Sequence, residues 1–414
     1  MTTDSRSTAA TAVWKSLPVI LVCGCAIALL SFGPRSIMGL FLAPMTEARG
    51  WTREVFGLAI AIQNLLWGIG QPFAGMIADR YGTARVLAAG AVIYAAGLFI
   101  MAWAPTPIWL HLSAGLMIGL GLSAASFSIV LAAFGRAVSD AKRSIAFGLG
   151  TAAGSLGQFV FGFLGQGLID GFGWAMALVL MGVMMLAIVA FSLPLQGRSS
   201  VRDQAATVTE TSLGATLAGA FTHRSYILLV AGFFVCGFHV AFISVHLPPY
   251  LTDMGVDATW GATAIAIIGL FNIAGALASG VIAGRFSKAG FLAFIYFARA
   301  IAITIFILVP VSPVSVVIFA AVIGLLWLST VPPTSGLVVA MFGPRYMATL
   351  FGIVFFSHQI GAFLGVWLGG RLYDTTGTYT VVWWLGVALS VFAALVHLPI
   401  KDERVLGLEP VHSR

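Results

Sequence analysis

Long apolar runs broken by short polar clusters set the pattern of this chain. Runs of roughly 20 residues or more recur along nearly its whole length, the span a helix needs to cross a hydrocarbon core. Their edges predict twelve spans: 17–45, 53–78, 84–104, 107–135, 144–169, 173–194, 225–252, 258–283, 290–310, 313–342, 347–372 and 379–399. One longer polar connection holds Arg198, Arg202, Asp203, Glu210 and Arg224 and divides six spans from six. The predicted organisation is an amino tail (1–16), a six-helix bundle (17–194), a central connection (195–224), a second six-helix bundle (225–399) and a carboxyl tail (400–414). Alternating strands with tight hairpin turns are missing, so a barrel is not expected.

The two halves resemble each other. Gly75-Met-Ile-Ala-Asp79-Arg80 returns 205 positions later as Gly280-Val-Ile-Ala-Gly284-Arg285, and at the same offset Pro44 falls on Pro249 and Gly50 on Gly255. At an offset of 204, Gly148, Gly157, Gly165, Asp170 and Gly173 fall on Gly352, Gly361, Gly369, Asp374 and Gly377. A gapless self-match at half the chain length in an apolar sequence points to a duplicated membrane protein.

Composition agrees. Of 414 residues, 60% are hydrophobic and 8% charged, against about 25% charged in soluble domains. The 48 glycines suit helices packed closely in lipid. Cys23, Cys25 and Cys236 fall in apolar runs, so free buried thiols are expected and no disulfide framework. Residues 1–16 lead into a span too long for a signal-peptide core, so no cleavage is expected.

The net charge of +7 raises nucleic acid as a partner, but its placement argues for topology. Sixteen of the 21 basic residues fall in the tails, the central connection and the turns on that side; Arg49, Arg53 and Arg371 fall on the other. Positive charge marks the cytoplasmic face, so both termini are expected inside and nucleic acid is not a partner. Arg35 and Arg299 remain, both within spans. All fourteen acids lie in tails, turns or span ends.

The turn Gly75-x-x-x-Asp79-Arg80-x-Gly82-x-x-Arg85, set among twelve spans split by a central connection, resembles the major facilitator superfamily. That resemblance implies an all-α membrane fold of two pseudo-symmetric six-helix bundles that rock about a central site. It also implies a gating role for this turn, with Arg80, Arg85 and Arg136 as partners of Asp79. Gly284 replaces the acid in the second half. Gly33-Pro34-Arg35 with Gly39-Leu-Phe-Leu-Ala-Pro44-Met45 is similar to the first helix of bacterial monocarboxylate and oxalate–formate carriers. So are Gln63-Asn64-Leu-Leu-Trp67-Gly68-x-x-Gln71-Pro72, His246-Leu-Pro-Pro249-Tyr250 and His358-Gln359-Ile-Gly361. The resemblance implies small organic anions as cargo, proton symport or anion exchange as coupling, and a bacterial cytoplasmic membrane. Many members carry an Arg and some an Asp in span 8, where this chain has Ala276 and Asn272. A Lys of the oxalate-type carriers in span 11 is His358 here.

The residues themselves point the same way. Arg35 lies roughly 14 Å from the span end, near the midplane, where a guanidinium is costly and usually faces a partner or a wet cavity. A guanidinium matches a carboxylate bidentately; the structural alternative is an Arg capping helix carbonyls. Arg299 lies about 13 Å into span 9, and snorkelling competes with a site role there. His358 titrates near neutral pH, and with Gln359 it adds polarity where the first half has Gly154 and Ser155. His239, His246 and Tyr250 share a face of span 7; Asn64, Gln71 and Gly75 share one of span 2, and Asn272 is the counterpart in span 8. Both stripes are read as cavity lining, that of span 2 against helix–helix hydrogen bonding and that of span 7 against a metal site that lacks a third ligand.

The candidate binding set is therefore Arg35, Asn64, Gln71, His246, Tyr250, Asn272, Arg299, His358 and Gln359. No metal, cofactor or catalytic set is expected, and ATP hydrolysis lacks its phosphate loop. The expected protein is a monomeric secondary transporter of small organic anions and protons in a lipid bilayer, not an enzyme. Drug or cation efflux is the alternative, and a non-transporting membrane sensor a third.

Overall fold

The computed structural model describes residues 16–138, 140–197, 213–343 and 347–402. Most of the amino tail, the middle of the central connection, Arg345 and the carboxyl tail beyond 402 lie outside the described residues, together with the charges counted there. The described residues are helical, with no strand among them.

Span 1 is Leu17–Ser36 continued by Gly39–Arg49, span 2 Arg53–Tyr81 and span 3 Thr83–Trp103. Span 4 runs from Pro107 through a π-helical stretch, His111–Met117, and breaks before Phe127–Ala137. Spans 5 and 6 form one helical stretch, Asp140–Ser192, turned at Gly173. The second half gives Arg224–Asp253, Ala258–Arg285 and Lys288–Leu308 as spans 7 to 9. Span 10 is Pro313–Leu326 and Val331–Phe342, span 11 Met347–Thr376 and span 12 Thr380–His397.

Ten helices among the described residues are long and apolar enough to cross a membrane. One of them contains both span 5 and span 6. Span 2 has the length, at 29 residues, but is more polar. Twelve crossings are consistent with this count. The central connection, read as polar loop, contains a further helix, Leu213–Thr222. Its sequence is almost wholly apolar, which explains why Ala220 is buried.

The duplication is visible in the packing. Gly50 and Gly255 both have positive φ, 66° and 79°, as do Gly173 and Gly377, 77° and 73°; a side chain would strain these turns. The next helices are capped alike: Thr52 accepts from Val55 N and Asp257 from Thr259 N. The Asp257 carboxyl, in its exposed turn, is held below its usual range by the Thr259 hydroxyl and amide. Gly157 lies against the carbonyl of Leu29, and Gly361, 204 residues on, against that of Phe234, 205 residues on. A methyl group at either glycine would overlap that carbonyl, so bare backbone lets span 5 seat on span 1 and span 11 on span 7.

One face of the bundle, here the near face, carries the ends at Leu17, Gly197, Arg224 and Lys401. Thr83 N donates to Gly197 O and Lys401 N to Ser225 Oγ there. The halves meet along span 2 against span 11 and span 5 against span 8. On the opposite, far face the fit is tight: a methyl on Gly57 would lie 2.9 Å from Val366 O and one on Gly370 2.6 Å from Arg53 O. Towards the near face, methyls on Gly75, Gly148, Gly280, Gly284 and Gly352 would meet nothing within 4 Å. The halves are closed at the far face and parted at the near one.

Candidate functional site

Span 1 breaks where its sequence permits. Pro34 has no N–H to donate and Ser36 Oγ bonds Gly33 O at 2.6 Å, so the helix stops at Ser36 and restarts at Gly39. Arg35 sits on this last turn, half-buried, with its guanidinium directed at span 2. Its Nη2 donates to Asn64 Oδ1 at 2.7 Å, and Asn64 is oriented by its own Nδ2 bond to Ile60 O at 2.8 Å. The guanidinium carbon lies 4.5 Å from the Trp67 ring centre and 5.6 Å from that of Phe32. Arg35 Nε is buried with no partner.

Span 11 supplies the facing wall. Phe355 stands edge-on to Trp67 at 5.5 Å and stacks on His358 at 5.6 Å, so a row of rings crosses between the halves. Gln359 packs against Gly68, where a methyl would come within 2.7 Å of its Cγ. His358 is within electrostatic reach of Arg35. His358 Nδ1, both polar atoms of Gln359 and Trp67 Nε1 are buried without partners. Unpaired polar atoms inside a folded chain are rare, and each needs a ligand or water.

Other sequence candidates lie elsewhere. Gln71 donates to Ser128 Oγ at 3.1 Å, just past the break in span 4. Asn272 joins three elements: its Nδ2 donates to Ser155 Oγ at 2.9 Å across the halves, and its Oδ1 accepts from Leu328 N at 3.0 Å. Arg299, only 1% exposed, directs Nη2 to the carbonyls of Leu326 and Trp327. Those carbonyls are freed by the break in span 10, so the guanidinium takes the capping arrangement. Its Nη1 has no partner. His239 is held by Gly386 O at 2.9 Å and Ser390 Oγ at 3.3 Å.

His246 and Tyr250 belong to the far-face seal. There Arg53 forms a two-point ion pair with Asp253, Nη1 to Oδ2 at 2.6 Å and Nη2 to Oδ1 at 2.7 Å. Asp374 accepts the backbone N–H of Arg53 at 3.1 Å and of Glu54 at 2.7 Å, capping the start of span 2. Glu54 takes Arg371 at 3.0 Å and Trp367 Nε1 at 3.2 Å. Every one of these bonds ties the first half to the second. Sequence reasoning passed over this seal because it used Arg53 and Arg371 only to fix topology. The available signal was the group of acids Glu54, Asp253 and Asp374 on the face poor in basic residues.

At the near face Gly82, with φ 99°, ends span 2 by bonding Ala78 O and lets span 3 begin at once. Asp79, Arg80 and Arg85 are exposed there and Gly75 is half-buried. Arg136 Nη2 donates to Thr83 Oγ1 at 3.2 Å and lies within electrostatic reach of Asp79. Thr83 Oγ1 in turn bonds Leu195 O, so spans 3, 4 and 6 are tied together at this corner.

A two-fold repeated helical bundle, sealed between its halves on one face and open on the other, defines a membrane transporter rather than an enzyme. The chain belongs to the Major Facilitator Superfamily, whose family model matches residues 24–366. It is 26% identical over 387 residues to the uncharacterized MFS-type transporter YcxA of Bacillus subtilis, covering 92% of this chain and 93% of that one. It is also 26% identical to monocarboxylate transporter 13 of Rattus norvegicus, over 82% of this chain and 77% of that protein. Among solved structures, a D-xylose–proton symporter matches with a TM-score of 0.73 at 12% identity, over 94% of this chain and 99% of that one. The nucleoside transporter NupG matches with a TM-score of 0.72 at 17% identity, over 92% and 99%. These two show the fold alone.

Proposed function

We propose that this transporter carries small organic anions with a single carboxylate by alternating access, in the cytoplasmic membrane of a bacterium, with the near face inside. The observation that carries the reading is Arg35. It is a mid-span guanidinium held by a neutral amide and an indole face, with one N–H unpaired and no carboxylate among its contacts. A buried cation of this kind is costly until a counter-charge arrives, and a carboxylate cargo supplies it. Trp67, Phe355 and Phe32 suit the apolar body of the cargo, and Gln359 a polar substituent on it. A dicarboxylate would need a second free cation, and Arg299 is committed to the span 10 carbonyls. The relatives named monocarboxylate transporters support the same cargo class.

His358 is the candidate proton carrier of the site. Its Nδ1 is unpaired and available to the proton that enters with a carboxylate cargo. That coupling makes uptake electroneutral symport; anion exchange is the variant in which His358 does not cycle. The turn from Gly75 to Arg85, with Arg136, serves as the near-face latch when the carrier turns outward. Sidedness follows from the basic residues of the near face.

The test is counterflow of labelled acetate, pyruvate and benzoate in proteoliposomes, with and without a pH gradient. Arg35→Ala should lose uptake by at least about tenfold, since a bidentate charge-assisted pair is removed, while Arg35→Lys should recover part of it. Uptake by Arg35→Ala equal to that of the parent protein would remove the anchor.

A further inference from the structure

The far-face seal contains a titratable group to which the transport scheme above gives no part. We propose that His246 is the proton-binding residue of this seal, and that protonating it opens the seal. The proposal deepens the carrier reading, because it names the point at which an external proton acts on the conformational cycle.

His246 is 0% exposed and both of its ring nitrogens are engaged. Nε2 lies 2.8 Å from Val366 O, and Nδ1 lies 3.1 Å from Tyr379 Oη. A carbonyl only accepts, so Nε2 carries the hydrogen and Nδ1 presents a lone pair. Tyr379 therefore donates to His246, and its oxygen accepts from Arg53 Nη1 at 2.9 Å. Arg53 in turn holds Asp253. The bonds form one directed row: Asp253 from Arg53, Arg53 to Tyr379, Tyr379 to His246, His246 to Val366.

A proton on Nδ1 reverses the middle of that row. Tyr379 Oη then faces two donors, Nδ1–H and Arg53 Nη1–H, and its own hydrogen has to turn away. The charged acceptor within its electrostatic reach is Asp253, which already holds both Nη atoms of Arg53. The seal thus gains a second cation behind Arg53 while its acid is drawn two ways.

The surrounding charges leave no room for compensation. On span 7 Asp253 is paired with Arg53, and on span 2 Glu54 is paired with Arg371 and Trp367. On span 11 Asp374 is bound to the two amides of span 2, and Tyr373 lies under the Arg53 guanidinium at 3.8 Å. Tyr250 packs edge-on to Tyr379. On span 1 Glu47 is exposed, and Arg49 turns to Trp174 of span 6. The ring is seated against the bare backbone of Gly369, where a methyl would overlap it. The new charge is relieved only when the halves part and water enters. Linkage makes this reciprocal: closing the seal expels the proton from His246, so closure waits until the proton has moved inward.

The experiment needs no cargo. Spin labels at Phe172→Cys and Val314→Cys, both exposed at the far face of opposite halves, report its opening by pulsed dipolar spectroscopy in nanodiscs. The background is the full chain with Cys23, Cys25 and Cys236 replaced by Ser. From about pH 8 to about pH 5, across the histidine range, the open-to-closed ratio should rise roughly 5-fold or more. His246→Gln keeps a donor for Val366 O and His246→Leu keeps the bulk of the ring, but neither can titrate; both should respond little to pH. An unchanging distance distribution in the labelled parent, or the parental response retained in either variant, overturns the proposal, and the second variant serves if the first does not fold. Arg35→Ala should keep the pH response. Parental uptake by Arg35→Ala with the response intact therefore faults the cargo reading alone, and a parent that takes up the acids but shows no pH response faults this one.

Discussion

The Arg53–Asp253 pair gives the sharpest test of how the far face is held. Its two bonds of 2.6 and 2.7 Å have the bidentate geometry that makes arginine–carboxylate pairs strong. Its side chains are 14% and 29% exposed, so water still screens it in part. Exposed pairs contribute about 0.2–1 kcal/mol, and close charge pairs at interfaces couple by about 1.5 kcal/mol or more. A partly screened, two-point pair falls between these, at about 1–1.5 kcal/mol, or about 5–13-fold in the closed-to-open ratio. Arg53→Gln alone should cost more, because the guanidinium also donates to Tyr379 and lies 3.8 Å from the Tyr373 ring. A cation over a ring contributes roughly 0.5–2 kcal/mol, so the single variant should lose about 2–3 kcal/mol of closure.

The measurement is a double-mutant cycle of Arg53→Gln, Asp253→Asn and the double variant, read from far-face distances at constant pH. Repeating it at high salt should shrink the coupling, since a pair with this exposure feels the ionic atmosphere. A coupling within a few tenths of a kcal/mol of zero, below the usual limit for independent sites, would refute the pair as a latch. A coupling indifferent to salt would show that its screening had been misjudged.

Three other outcomes follow from the packing. Gly361→Ala should destabilise the protein by roughly 1–3 kcal/mol, because its methyl would strike the Phe234 carbonyl, a backbone atom that no rotamer can move; Gly352→Ala, with nothing within 4 Å, should be silent in the same thermal-stability assay. Arg299→Gln should lower thermal stability by about 1–3 kcal/mol, since two carbonyls at the span 10 break lose their donor. Its apparent cargo affinity should change far less than that of Arg35→Lys, which counterflow at graded concentrations would show. Asn272→Ala should loosen the contact of span 5 with span 8 by about 1–3 kcal/mol, through loss of the bonds to Ser155 and Leu328, and hydrogen exchange at residues 326–331 should report it.

Much of this architecture was legible because the bilayer imposes a coarse rule: apolar length gives a crossing, and repeated glycines give close approach. The paired positive-φ turns at Gly50 and Gly255 stand at the predicted offset of 205. The breaks in spans 4 and 10 also correspond, with Ser126 and Thr330 lying 204 apart. Pro34 announced the interruption beside Arg35. Side-chain direction was not legible. Arg35 and Arg299 look alike in sequence, each one basic residue in an apolar span, yet one faces the Asn64 amide and the Trp67 ring and the other turns to the open carbonyls of span 10. The deciding feature, the break at Trp327 to Thr330, belongs to a different span, and no periodicity within span 9 encodes it. The far-face seal was hidden for a related reason. Its partners across the halves are separated by 200 to 326 residues, and charges near span ends read equally well as solvated caps.

The two faces are held by different physics, and this has a consequence for the cycle. The far face joins the halves by ion pairs, capped amides and bare-backbone contacts at Gly57 and Gly370, all of which need close registration. At the near face the exposed Asp79, Arg80 and Arg85 stand where the glycines of spans 2, 5, 8 and 11 have open space around them. A second-half counterpart of Asp79 is missing, since Gly284 occupies its place. In the proposed cycle, closure of the near face has one acid where two symmetric turns would supply two. With three bonded carboxylates on one side and a single acid at the motif on the other, the empty carrier is expected to rest far-closed. In the proposed cycle an anion at Arg35 would shift it by drawing Trp67 of span 2 and His358 and Gln359 of span 11, whose unpaired polar atoms come from both halves, onto one ligand. On this account Gly284→Asp, which restores the second acid, should raise the far-open population of the empty carrier, and the far-face labels would report the change directly. An unchanged distribution would mean that the near-face turns do not limit the cycle, leaving the far-face seal alone in control of it.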